Sequence, residues 1–163
     1  MNNALGFISL DIEDNPRSKF VVNMINNLSD AAPYMDHILF NSYYQFLPQE
    51  NNKFATLHIN EAKYFTGPLV AFSLKDAMFL KQCISNKKIF FIIEPEWTTS
   101  IHPKSENYES MKMMQYSTLR DVYVDSMDIL CTNNPDLKNI IDICWKESFL
   151  IPDSECEKLY EQL

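Results

Sequence analysis

Two carboxylates and an indole stand together at Glu94, Glu96 and Trp97, with Pro95 between the acids. A carboxylate can take the proton of an attacking hydroxyl, provided that it is held within hydrogen-bond reach of that proton. Glu94 and Glu96 are therefore the candidate catalytic pair. Their side chains either converge on one ligand or splay into solvent, and their spacing leaves both arrangements open. Further hydrogen-bonding side chains recur where apolar runs end, at Asp11, Asn41, Asn60, Glu61 and Ser73, and with Trp97 these make up the candidate ligand-binding set. The same residue types also terminate strands as caps and turns.

Other chemistries fit the residues poorly. His37, His58 and His102 fall on separate stretches without a Gly-x-Ser-x-Gly elbow, so a hydrolase triad is not expected. Cys83, Cys131, Cys144 and Cys156 are scattered singly, without metal-ligand spacing. No metal and no cofactor is predicted. Gly6 and Gly67 are the only glycines, which removes the Walker loop and the glycine-rich dinucleotide turn. Asn15-Pro16-Arg17-Ser18 offers an anion the start of a helix and one guanidinium, yet Asp11, Glu13 and Asp14 just before it would repel that anion. A helix cap with a local ion pair is the expectation there.

These groups need a scaffold, and residues 89–93 supply its centre. Ile89-Phe90-Phe91-Ile92-Ile93 shows no polar alternation, which implies a strand covered on both faces in the interior of a sheet. Pro95 ends it and leaves Glu94, Glu96 and Trp97 at its carboxyl end, where ligands bind in open α/β sheets. Strands are predicted at residues 5–12, 36–42, 54–59, 69–74, 127–132 and 148–152. Helices are predicted from Pro16 to about Leu28, from Lys75 to Ile84 with Ala77, Met78, Leu80 and Ile84 buried, from Tyr108 toward Leu119, from Pro135 to Trp145, and over residues 155–162. The methionines near residue 111 are expected as core filler. Residues 43–47 and 120–126 carry no clear period, and residues 98–107 read as a loop. The alternation predicts an α/β fold, a three-layer sandwich on a mostly parallel Rossmann-like sheet.

At 163 residues the chain is expected to be a single domain, residues 1–163, able to bury roughly 70% of its unfolded surface. The formal net charge of -8 argues against general nucleic-acid binding, which relies on Lys and Arg displacing counterions. No signal peptide and no apolar run of ~18 residues is found, so a cytoplasmic protein without a membrane span is expected. Tyr43, Tyr44 and Trp97 are candidate partner contacts, since aromatic side chains enrich interface cores.

Five stretches together carry a resemblance: residues 36–42 (DHILFNS), 58–67 (HINEAKYFTG), 87–97 (KKIFFIIEPEW), 142–146 (DICWK) and 149–153 (FLIPD). In element order and local texture the chain resembles the amino-terminal half of GT-B glycosyltransferases, in particular DNA glucosyltransferases and related proteins of T-even-like tailed phages. The resemblance implies a phage-encoded protein of the host cytoplasm, with the loops after Asn41, Asn60 and Glu94 facing the acceptor side of a cleft. In that family the carboxyl-terminal domain largely holds the sugar-nucleotide donor, and this sequence has no counterpart of it. Two readings follow. One is a non-catalytic module that engages an unknown protein partner. The other is a transferase subunit that binds a sugar nucleotide or acceptor, uses Glu94 or Glu96 as base, and is completed by a second glycosyltransferase-like domain or partner chain. The missing donor half favours the first.

Overall fold

A computed structural model of the protein describes residues 3–42, 52–97 and 108–163, the side chains of Tyr108 and Met111 excepted. The predicted segment 43–47 with Tyr43 and Tyr44, the loop 98–107 and His102 lie outside the described residues. In chain order the elements are β1 (Ala4–Ile8), α1 (Pro16–Ala31), β2 (Asp36–Asn41), β3 (Ala55–His58), α2 (Ile59–Ala62), β4 (Leu69–Ala71), α3 (Leu74–Leu80), β5 (Lys88–Ile92) and α4 (Tyr108–Arg120). A π-helical segment (Asp121–Ser126), β6 (Ile129–Thr132), α5 (Pro135–Cys144), β7 (Ser148–Leu150) and a 3-10 helix (Asp153–Gln162) complete it.

The strands form one parallel sheet in the order β3-β2-β1-β4-β5-β6-β7. β5 is interior, as its unbroken apolar run requires: Ile89 pairs with Val70 of β4, and Phe90 pairs with Leu130 of β6. Alternate residues of each strand feed two apolar layers. On one face Phe7, Leu39, Val70, Ile89 and Phe91 pack against α1 and the 3-10 helix. On the other, Ile8, Phe40, Ala71, Phe90 and Leu130 meet α2, α3, the π-helical segment and α5. The result is the three-layer α/β Rossmann-like sandwich anticipated from the alternation of elements.

The chain runs outward from β1 through β2 to β3, then returns to lay β4 on the other side of β1. α1 and α3 consequently pack on opposite faces, and the loops after β1 and β4 diverge. This is a topological switch point, the place where an open α/β sheet offers a crevice. Local sequence sets the helix starts around it. Asn15 Oδ1 accepts the Ser18 N–H at 2.8 Å with Pro16 in the first turn, and Ser73 Oγ accepts the Asp76 N–H at 3.0 Å.

Several expectations are corrected. α3 stops at Leu80 and buries a narrow stripe of Ala77 and Leu80, continued by Cys83, so that Met78 (47% exposed) and Ile84 (61%) lie outside the core. Met113 and Met114 of α4 face solvent instead of filling the core, which on that helix receives Leu119. Ile59 leaves the strand to open α2, because His58 Nδ1 accepts the Asn60 N–H at 3.2 Å and caps the turn. Residues 121–126 wind as a π-helix, and the carboxyl-terminal helix is 3-10 with a break at Glu155 (φ -134, ψ 42). Among the described residues no helix is long and apolar enough to cross a membrane.

Candidate functional site

The predicted carboxylates meet at the switch point, and they meet a cation of the protein itself. Arg17, in the first turn of α1, places one guanidinium nitrogen 3.2 Å from Glu94 Oε2 and 3.3 Å from Glu96 Oε1. The ion pair expected within the acidic cluster is formed by other residues: Lys19 pairs with Asp14 at 2.9 Å and Lys75 with Asp11 at 2.6 Å. Arg17 reaches across instead, because α1 starts and β5 ends at the same crevice.

Glu96 makes a second contact. Its Oε2 accepts the backbone N–H of Leu74, the first residue of α3, at 2.5 Å. The first N–H groups of a helix have no partner within it and attract negative charge. In a nucleotide-binding sheet that attraction is offered to a phosphate. Here the chain supplies its own anion, and Arg17 neutralises that anion from the other side.

Sequence reasoning missed the most buried charge of the site. Asp76 is 4% exposed, and its Oδ1 accepts the Leu10 N–H at 2.9 Å, stitching the end of β1 to α3. Burial pushes its pKa up to about 6 against the pull of the Leu10 and Ser73 hydrogen bonds, with the Glu96 charge adding to the rise. A signal was present in Ser73-x-x-Asp76, the spacing of a capping box. The box is not closed in the usual way, because the carboxylate bonds Leu10 rather than the amide of Ser73.

The other predicted residues separate into three places. Ser73 and Asp11 belong to the crevice, the first as the cap of α3 and the second through Lys75. Asn41 is buried at the end of β2. Asn60 and Glu61 are exposed on α2, which follows edge strand β3 and packs over β2 and β1. Trp97 turns away from the crevice into an aromatic stack. Among the described residues no three His, Cys, Asp or Glu side chains converge as a metal site.

That stack begins on the sheet. Phe90 lies against Tyr123 at 5.1 Å between ring centroids, Tyr123 against Trp145 at 5.1 Å, and Trp145 against Tyr116 at 5.9 Å, while Trp97 meets Tyr123 edge-on at 5.6 Å. A cleft of ≈ 320 Å³ opens beside it, lined by Trp97, Gln115, Tyr116, Leu119 and Trp145 among others. Tyr123 is fully buried and, among the described residues, its hydroxyl has no hydrogen-bond partner. Desolvation, with Glu96 in second place, drives its pKa above the usual tyrosine range. Tyr123→Phe removes an unpaired hydroxyl without removing the ring, and is expected to leave stability unchanged or raise it by up to about 1 kcal/mol in urea denaturation. A clear loss of stability would reveal a hydrogen bond that the structure does not contain.

Compared with protein-family models, with curated proteins and with solved structures, the chain matches none.

Proposed function

We propose that this chain is a non-catalytic binding or interaction module: a Rossmann-like domain of the kind that forms the acceptor-side half of a GT-B glycosyltransferase, serving a tailed phage as an accessory protein that engages a protein partner. One observation carries the reading. Arg17 bridges Glu94 and Glu96 while Glu96 occupies the amino terminus of α3, so the helix start that would attract a phosphate holds a carboxylate of the chain. Both Glu96 carboxylate oxygens are already engaged, one by the Arg17 guanidinium and one by the Leu74 amide, which counts against Glu96 as a base. The competing reading, a transferase subunit completed by a second domain, requires Glu94 or Glu96 to be released from Arg17.

Thermal unfolding with UDP-glucose, pyrophosphate and uridine separates the two. A ligand present at 100 times its dissociation constant adds about 2.7 kcal/mol, several degrees for a chain of this size. The module reading expects neither UDP-glucose nor pyrophosphate to stabilise the protein beyond the effect of uridine alone. A rise that needs the phosphates or the sugar overturns it in favour of the transferase subunit.

A further inference from the structure

The face of the sheet that carries Phe7, Ile89 and Phe91 is covered by α1 and the 3-10 helix, and these two do not close over it completely. At the carboxyl end of the sheet, where ligands bind in open α/β folds, a pocket of ≈ 220 Å³ stays open between them. Its floor is buried and apolar: Met24 of α1, Phe91 near the end of β5, and Ile151 just beyond β7. Its rim is exposed and polar. Asn23 and Asn27, one helical turn apart on α1, stand there with Asp153 of the 3-10 helix. Asn133 Nδ2 donates to Asp153 Oδ1 at 2.8 Å, and among the described residues no other donor reaches that carboxylate.

We propose that this pocket binds a small organic amine, its single-ring or short aliphatic body on the apolar floor and its ammonium group at the rim against Asp153. The volume suits a body of that size and excludes a nucleotide or a large cofactor. Among the described residues no lysine or arginine lines the pocket, and Lys19, one turn before Asn23 on α1, is held by Asp14 at 2.9 Å. An anionic ligand would therefore meet the Asp153 carboxylate without a compensating charge. A sugar would leave hydroxyls against Phe91 and Ile151 with nothing to bond. An ammonium avoids both penalties. Asp153 is exposed, so the cationic head keeps water on its outer side while its body is buried, and the Asn23 and Asn27 side-chain carbonyls offer acceptors to its remaining N–H groups. The formal net charge of -8 draws cations to the surface in the first place.

The inference goes beyond the proposed function and does not rest on the closed crevice, since Arg17, Glu94 and Glu96 do not line this pocket. 2-Phenylethylamine, 2-phenylethanol and phenylacetate have bodies of similar size and heads that are positive, neutral and negative. Each is titrated into the protein at neutral pH by calorimetry and by NMR of the backbone and asparagine side-chain amides. The amine is expected to bind saturably with a Kd of about 1 mM or tighter, shifting the signals of Asn23, Asn27 and Asp153. The alcohol is expected to bind about threefold more weakly, the scale of an exposed ion pair, and phenylacetate not at all. Asp153→Asn, whose amide oxygen still accepts from Asn133, is expected to reduce the amine to the affinity of the alcohol and to leave the alcohol unchanged. Asn27→Phe, which fills the mouth from an exposed helix position, is expected to abolish binding of both while circular dichroism shows an unchanged fold. Failure of the amine to bind, equal or tighter binding of the alcohol or of phenylacetate, or an unchanged affinity for the amine in Asp153→Asn or Asn27→Phe overturns the proposal.

Discussion

Replacing Phe90 with alanine is expected to destabilise the protein by about 3–5 kcal/mol, the range for deleting a large aromatic side chain from a packed core. The residue is fully buried on interior strand β5, its backbone pairs in register with Ala71 and Leu130, and its ring stacks on Tyr123. Truncation empties space bounded by β strands on both sides and by the π-helical segment above, none of which can collapse without breaking sheet pairing. Phe149 on edge strand β7 is the internal control. It is 39% exposed, and its alanine variant is expected to cost under about 1.5 kcal/mol. Urea denaturation of both variants decides the matter. Equal, small losses would place β5 at a border and remove the crevice built on it.

Asp76→Asn is expected to change the pH dependence of stability more than any other single substitution at the crevice. With a pKa raised to about 6 against 3.8 for an ordinary aspartate, the carboxyl is favoured in its protonated form by the folded state. Its contribution to stability is therefore complete below about pH 4 and is lost as pH rises through about 6, a loss of about 3 kcal/mol. Asparagine keeps an acceptor for the Leu10 N–H and carries no charge to desolvate. The variant is expected to match the wild type near pH 4 and to exceed it by about 2–3 kcal/mol near pH 8, in denaturant titrations at several pH values. A pH-independent difference between the two proteins would show that Asp76 is not the buried titrating group.

The fold was legible because its cues are local and redundant. The unbroken apolar run at Ile89 through Ile92 placed a strand inside a sheet, and Asn15-Pro16 and Asn134-Pro135 announced two helix starts that the structure confirms by their side-chain caps. Failures of detail fall where a longer-range contact decides. Met78 and Ile84 satisfy a helical period, but the narrow contact of α3 with the sheet admits only its smaller stripe. The π-helical winding at Asp121 has no period of its own to read. At the site, the grouping of polar residues at strand ends was visible, while their pairing was not: Arg17 and Glu96 are 79 positions apart, and only the crossover between β1 and β4 brings them together. Asp76 was hidden for a similar reason, since its partner Leu10 lies 66 positions away. Trp97 shows the limit from the other side, because proximity in sequence to Glu96 did not keep its ring at the same site.

The account depends most on the carboxylate of Glu96 sitting at the head of α3. The Leu74 amide is the first of that helix and has no partner within it, so without Glu96 it would exchange its hydrogen freely with water. Amide exchange followed by NMR in the wild type and in Glu96→Ala is the direct test. Protection of Leu74 in the wild type, lost in the variant while the interior amides of β5 stay protected, is the predicted result. Rapid exchange at Leu74 in the wild type would contradict the closed crevice and reopen the amino terminus of α3 to an external anion.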